Sequence, residues 1–243
     1  MESRSPELAA VIAAYHDESS IDEFHRRLSD TLGELGRSYE IVYVNDGSRD
    51  ATWTKIEALF ERDDHVTRAI DLDRNSGKEA ALTAATAAAR GDKLVYIDCD
   101  LQLDPEDLPR ALAEFDRGFD IVSGYRTARR DSLLRTAVSP LANAVWRRRW
   151  RTRLRDLGCH FWIIDGRLMR DCEFGPTNPI RLETVLARSR GASEVAVGHH
   201  PRPHGRSTWS VAALVRYFVG GLIGTAPGHT GGPAYTVRRQ LSR

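Results

Sequence analysis

The chain has 243 residues, 41% of them hydrophobic and 28% charged, and 35 Lys+Arg against 34 Asp+Glu leave a formal net charge of +1. An apolar fraction of that size buries a real core, which excludes disordered and fibrous classes, and the near-zero total excludes a general polyanion binder. The total conceals a split: residues 1–125 carry 27 acids and 14 bases, a balance of −13, whereas residues 126–243 carry 7 and 21, a balance of +14.

In chain order, Ala9 to Tyr15 is a buried-strand pattern, and Ile21 to Leu35 then places Ile21, Phe24, Leu28, Leu32 and Leu35 at helical intervals. Glu40 to Asn45 is a second strand, followed by a Gly-Ser-Arg-Asp turn and a helix over Thr52 to Arg62. A third strand, Thr67 to Leu72, meets the loop Asp73 to Lys78 and the alanine-rich helix Glu79 to Arg90. A fourth, Lys93 to Asp98, ends in a cluster of acids. Four strand-helix units in succession predict a parallel sheet with helices on its faces, and ligands of such sheets bind beyond the carboxyl ends of the strands. Tyr15 to Glu18, Asn45 to Ser48, Asn75 to Lys78 and Asp98 to Gln102 should therefore converge.

The second half is less regular. Asp107 to Phe115 is expected as a helix, Asp120 to Gly124 as a strand, Leu133 to Leu154 as one or two helices broken near Pro140, and Glu194 to Gly198 as a last short strand. One domain over 1–226 is expected, with a flexible tail over 227–243 that carries three glycines and Pro233. Cys99, Cys159 and Cys172 have no disulfide or zinc spacing. The N-terminus has no signal-peptide pattern, and Trp209 to Ala226, broken by Arg216 and three glycines, falls short of the roughly 20 apolar residues that span a bilayer. A cytoplasmic location follows, with a peripheral place on the inner face of the membrane left open.

Asp98-Cys99-Asp100 puts two carboxylates at a strand end, a pair of hard oxygen ligands suited to Mg²⁺ or Mn²⁺ completed by water and substrate phosphates. Asp46 can accept hydrogen bonds from a base or ribose, although Asn45-Asp46-Gly47-Ser48 is equally a turn. Lys78, at the start of a helix, can meet a phosphate, although neither a P-loop nor a dinucleotide GxGxxG is present.

Four motifs stand in order: Ala14-Tyr15-His16-Asp17-Glu18, Val44-Asn45-Asp46-Gly47-Ser48-x-Asp50-x-Thr52, Arg74-Asn75-x-Gly77-Lys78-Glu79-x-Ala81 and Asp98-x-Asp100-Leu101-Gln102-x-x-Pro105-Glu106. Weaker ones follow in Gly124-Tyr125-Arg126-x-x-Arg129, Asp156-x-Gly158 and His200-x-Arg202-x-x-Gly205-x-Ser207. Together they resemble the family 2 glycosyltransferases of the polyprenyl-phosphate type, closely over residues 8–130. The resemblance implies an α/β GT-A fold, a mostly parallel central sheet flanked by helices, that binds a nucleoside diphosphate sugar, with a UDP-sugar favoured. It further implies that Tyr15, Asp17, Asp46, Lys78, Asp98 and Arg126 bind the nucleotide sugar, that Asp98 and Asp100 hold the metal, and that Gln102 lies beside the donor sugar. Arg129, Arg202, Arg206 and Ser207 would meet the acceptor phosphate.

The chain departs from that pattern in three places. The first motif usually reads Pro-x-Tyr-Asn-Glu, and here Ala13, His16 and Asp17 stand instead. A usual Gly-x-Asp-Phe-Arg is replaced by Gly158-Cys159-His160-Phe161-Trp162, which makes His160 a candidate base near the acceptor. The membrane helices frequent in relatives after the Gly-x-Ser motif are not evident. Trp146, Trp150 and Leu154 form a helical stripe among six arginines, which suits either a membrane interface or packing on the core. No nucleic-acid partner is expected.

The favoured function is metal-dependent inverting transfer of a sugar to polyprenyl phosphate. The alternatives are transfer to a small hydroxyl acceptor in natural-product or cell-envelope biosynthesis, and a non-catalytic nucleotide-binding module.

Overall fold

In the computed structural model, which describes residues 5–127, 144–201 and 235–243, the first half is β1 (Leu8–Ala14), α1 (Ile21–Glu34), β2 (Tyr39–Asn45), α2 (Thr52–Arg62), β3 (Val66–Leu72), α3 (Lys78–Ala88) and β4 (Lys93–Ile97). The expected elements are present, with boundaries shifted by at most two residues. The β1–β4 strands are mutually parallel, in the order β4-β1-β2-β3. Their side chains are buried on both faces, as a sheet covered by helices on both sides requires.

Alternation along the strands sorts the core into two layers. Leu8, Ala10 and Ile12 of β1 with Val95 and Ile97 of β4 pack beneath Phe24 and Leu28 of α1 and Ile56 and Leu59 of α2. Ala9 and Val11, with Leu94 and Tyr96, pack beneath Ala80, Ala81, Ala84 and Ala85 of α3. The small alanine face lets α3 lie close to the sheet, so its first residue, Lys78, arrives at the strand ends.

A 3-10 turn at Pro105–Asp107 leads into α4 (Leu108–Phe115) and β5 (Ile121–Arg126); residues 144–150 are helical (α5), and β6 (Phe161–Asp165), α6 (Gly166–Asp171), α7 (Leu182–Arg188), β7 (Ala192–Val197) and β8 (Val237–Ser242) follow. The sheet runs β7-β5-β6-β4-β1-β2-β3-β8. β6 is antiparallel to both neighbours and β8 is antiparallel to β3, while β5 and β7 keep the direction of the first four strands. The mostly parallel sheet expected from the sequence is therefore present with two reversed strands.

Two expectations are corrected. The tail expected to be flexible over 227–243 contains β8, which zips onto the open edge of β3 with Leu241 against the core and Tyr235 buried just before it. Val-Arg-Arg-Gln-Leu-Ser has too few apolar residues to announce a strand; the main-chain bonds to β3 and an ion pair of Arg238 with Asp71 supply what the local pattern lacks. The helix expected to reach Leu154 leaves helical geometry at Arg151, whose φ is +52°. Trp146 and Leu154 are buried and Trp150 is partly so, with the Trp146 and Trp150 ring centroids 4.5 Å apart, so the aromatic stripe packs inward and the arginines face outward. The predicted Arg129, Arg202, Arg206 and Ser207, and the stretch Trp209 to Ala226, lie outside the described residues.

Candidate active site

The strand registers decide which residues meet. Ala14 pairs with Asn45 and Asn45 with Asp71, so β1, β2 and β3 end together. Val11 pairs with Tyr96, so Asp98, Cys99 and Asp100, one to three residues past the end of β4, stand at the levels of Ala13, Ala14 and Tyr15 at the carboxyl end of β1. β6 enters beside β4 with Phe161 opposite Ile97. The residue before it, His160, therefore meets the level of Asp98. β5 ends at the same edge with Arg126. The four loops expected to converge do so, joined by the entry to β6 and the exit of β5.

The loops are tied by backbone contacts. Gly47, at φ +65°, lies so close to the next loop that a Cβ on it would stand 2.6 Å from the Asn75 nitrogen. Asp46 is 3% exposed, and its two oxygens accept the Ser76 and Gly77 N–H groups at 2.7 and 3.1 Å. Burial pushes its pKa up to about 6 against the pull of those two backbone bonds. Both Asp46 oxygens, expected from the sequence to be open to a base or ribose, are used here to fasten the second loop to the third.

Half-buried Tyr15 and exposed His16 form the lip of the first loop. His16 sits at φ +58°, a left-handed conformation in which Asn, Asp and His are enriched. Asp17 turns inward, with its Oδ2 accepting the Tyr15 N–H at 2.8 Å and the Cys99 Sγ–H at 3.4 Å. Cys99 is 1% exposed, and alternation keeps it on the α1/α2 side. Asp98 is left on the α3 side, where the Lys78 ammonium forms an ion pair with its Oδ1. Asp100, 7% exposed, accepts the Gln102 N–H at 3.0 Å through Oδ1 after Leu101 turns the chain at φ +60°.

Gln102 faces the chain approaching from β7: its carbonyl accepts the His200 N–H at 2.9 Å and its Nε2 donates to the His200 carbonyl at 3.3 Å. Asp104, in turn, meets the His200 Nε2 at 2.6 Å and accepts from Arg27. Arg126 does not stand alone as a phosphate ligand. Its Nε and Nη2 grip Asp156 at 2.8 and 3.0 Å, a bidentate pair with Asp156 4% exposed. His160 stacks on Trp162 with ring centroids 5.9 Å apart. Burial, reinforced by the Lys78 charge, lowers its pKa to about 4, with Asp98 opposing. His160 is therefore uncharged at neutral pH, and its lowered pKa makes it a weaker base than an ordinary histidine.

Among the described residues no group of three or more His, Cys, Asp or Glu side chains forms a metal cage. The two hard carboxylates suit a Mg²⁺ or Mn²⁺ whose remaining ligands come from water and a diphosphate, so Asp98 and Asp100 fit such an ion. Sequence inspection missed the Asp17–Cys99 contact, the Arg27–Asp104–His200 cluster and Asp71. The Phe-Trp-Ile-Ile run at 161–164 is a strand signal in the sequence, although it does not say where that strand inserts.

The glycosyl transferase family 2 model matches residues 9–172. The chain belongs to that family. Over 210 residues it is 35% identical to an undecaprenyl-phosphate 4-deoxy-4-formamido-L-arabinose transferase of Pseudomonas fluorescens, covering 86% of this chain and 62% of the relative. The same-named transferase of Salmonella paratyphi B is 35% identical over 214 residues, with 86% and 64% covered. The chain thus spans less than two thirds of the length of these relatives. Among solved structures, glucosyl-3-phosphoglycerate synthase from Mycobacterium tuberculosis, in complex with Mn²⁺, UDP and phosphoglyceric acid, superposes with a TM-score of 0.67 at 18% identity, over 98% of this chain and 87% of that one. Staphylococcus aureus TarS gives 0.55 at 18% identity, over 79% and 60%. The fold is the expected GT-A fold. Among the described residues no helix is long and apolar enough to cross a membrane.

Proposed function

We propose that this chain catalyses inverting transfer of a sugar from a nucleoside diphosphate sugar, a UDP-sugar by preference, to polyprenyl phosphate in the presence of Mg²⁺ or Mn²⁺. The observation that carries the proposal is the two carboxylates Asp98 and Asp100 beyond the end of β4, with the Lys78 ammonium ion-paired to Asp98, in a chain whose relatives are undecaprenyl-phosphate transferases. Asp98 and Asp100 would hold the metal, which when bound supplies positive charge against the leaving diphosphate. Tyr15, Asp17 and Asp46 would bound the nucleotide, and Lys78 and Arg126 would oppose donor phosphates. Gln102, hydrogen-bonded to the chain at His200, would lie by the donor sugar, and Arg129, Arg202, Arg206 and Ser207 would receive the acceptor phosphate.

An acceptor phosphate is already anionic and needs no general base. Exposed Arg148, Arg149, Arg151 and Arg153 would favour a peripheral position on an anionic membrane face. One observation favours a second reading, a hydroxyl acceptor: neutral His160 stands at the level of Asp98, where it would take the acceptor proton. Offering radiolabelled UDP- and GDP-sugars with Mn²⁺, polyprenyl phosphate and a panel of small alcohols decides between the two. Label entering organic solvent, with His160→Ala turning over at the parental rate, supports the lipid phosphate. Water-soluble product that is lost in His160→Ala selects the hydroxyl.

A further inference from the structure

One buried carboxylate lies outside every motif of the donor site yet is connected to it. Asp71, on β3, is 0% exposed. Two groups reach it from opposite sides: the Arg238 Nε–H of β8 donates to its Oδ2 at 2.7 Å, and the Asn45 Nδ2–H of β2 donates to its Oδ1 at 2.7 Å. From Asn45 the chain of bonds continues into the loops of the cleft. Asn45 Oδ1 accepts the Ser48 N–H at 3.3 Å, and Ser48 Oγ accepts the His16 N–H at 3.0 Å. The four bonds run from the C-terminal strand through the sheet to both lips of the cleft, beside Asp46 and Tyr15.

We infer that Arg238 is a positioning residue for the nucleotide: acting through Asp71 and Asn45, it holds the loops after β1 and β2 in their binding geometry. This rests on the donor site proposed above. The physical reason lies in Asp71. A carboxyl group without solvent exposure is held in place by its partners alone, and the guanidinium fork takes one oxygen while leaving the other for Asn45. Asn45 is itself 0% exposed, so its carboxamide is oriented by this contact and not by water. The segment that carries Arg238 is fixed at two further points: the Asp73 N–H donates to the Thr236 carbonyl at 3.0 Å, and the Arg243 N–H donates to the Thr67 carbonyl at 3.1 Å. β8 therefore supports the donor loops from the far end of the sequence, and displacing it loosens the lips without touching the acids beyond β4.

The test is amide hydrogen exchange at His16 and Ser48 without ligand, alongside calorimetric titration of UDP, GDP, CDP and ADP with Mn²⁺. In Arg238→Met both amides should exchange at least tenfold faster. The tightest nucleotide should bind about tenfold more weakly, and the donor KM should rise with kcat near parental. Arg238→Lys, which keeps the charge, should recover part of each effect. If Arg238→Met fails to fold because Asp71 is left buried and unpaired, Asp71→Asn/Arg238→Met removes that charge, and its His16 and Ser48 amides should exchange faster for want of the fork. Unchanged protection at those amides in a folded variant lacking Arg238, or parental nucleotide affinity in it, overturns the inference. A parental chain that binds none of the four nucleotides overturns the donor reading instead, and the exchange measurement still decides the role of Arg238 in ordering the loops.

Discussion

The Lys78 ammonium, on the first turn of α3, pairs with the Asp98 carboxylate at the end of β4, two groups brought together by the close seat of an alanine-faced helix on the sheet. The pair matters because Asp98 is also one of the two carboxylates proposed to hold a divalent cation; on that reading Lys78 and the metal would compete for one carboxylate until a diphosphate gave the ammonium another partner. A partly exposed ion pair of this kind contributes up to about 1 kcal/mol. Lys78→Met should therefore bind Mn²⁺ up to about fivefold more tightly in the absence of nucleotide, by calorimetry, while losing affinity for a nucleoside diphosphate. Weaker Mn²⁺ binding in the variant would refute the competition.

Asp100→Asn keeps the shape of the side chain and its contact with the Gln102 N–H but removes the charge that a metal needs. Metal-dependent donor turnover should fall by about two orders of magnitude or more, the scale of removing a group that stabilises developing charge. Circular dichroism and melting should stay near parental. Full activity in this variant would end the metal assignment.

Asp46 makes a pH prediction whose sign follows from its burial. Its folded pKa, about 6, lies above the 3.8 of an ordinary aspartate, so the folded chain holds this proton more tightly than the unfolded chain does. The resulting stability is complete below about pH 4 and is lost as pH rises through 6, on the order of 3 kcal/mol over that window. Asp46→Asn has no such proton. The stability of the parental chain relative to the variant should decline between pH 4.5 and 7, measured by denaturant unfolding, and a flat difference would contradict the assignment.

Gly47→Ala tests the backbone contact between the second and third loops. An alanine there must adopt φ +65° and push its methyl into the Arg74–Asn75 backbone. Strain and overpacking together should cost at least about 2 kcal/mol. A melting temperature within a degree of parental would show that the loops move apart freely.

The strands β1 to β4, the helices α1 to α3 and the four strand-end loops were legible in the sequence because each is written in short-range periodicity and turn chemistry. A parallel sheet then has one ligand-binding edge, so the sequence alone brings Tyr15, Asp46, Lys78, Asp98 and Asp100 to that edge. The other half of the site is not local information. β6 inserts antiparallel between β4 and β5, which lifts His160 to the level of Asp98, and no pattern in Phe161–Asp165 says which strands it will join. Arg126, expected from the resemblance to meet a donor phosphate, is held by Asp156, a partner thirty residues away. Val237–Ser242 has the composition of a tail and becomes a strand because β3 offers an open edge and Asp71 an unneutralised charge. Pairing energies of that kind depend on which surfaces are left uncovered once the rest of the chain has folded, and only the tertiary structure decides that.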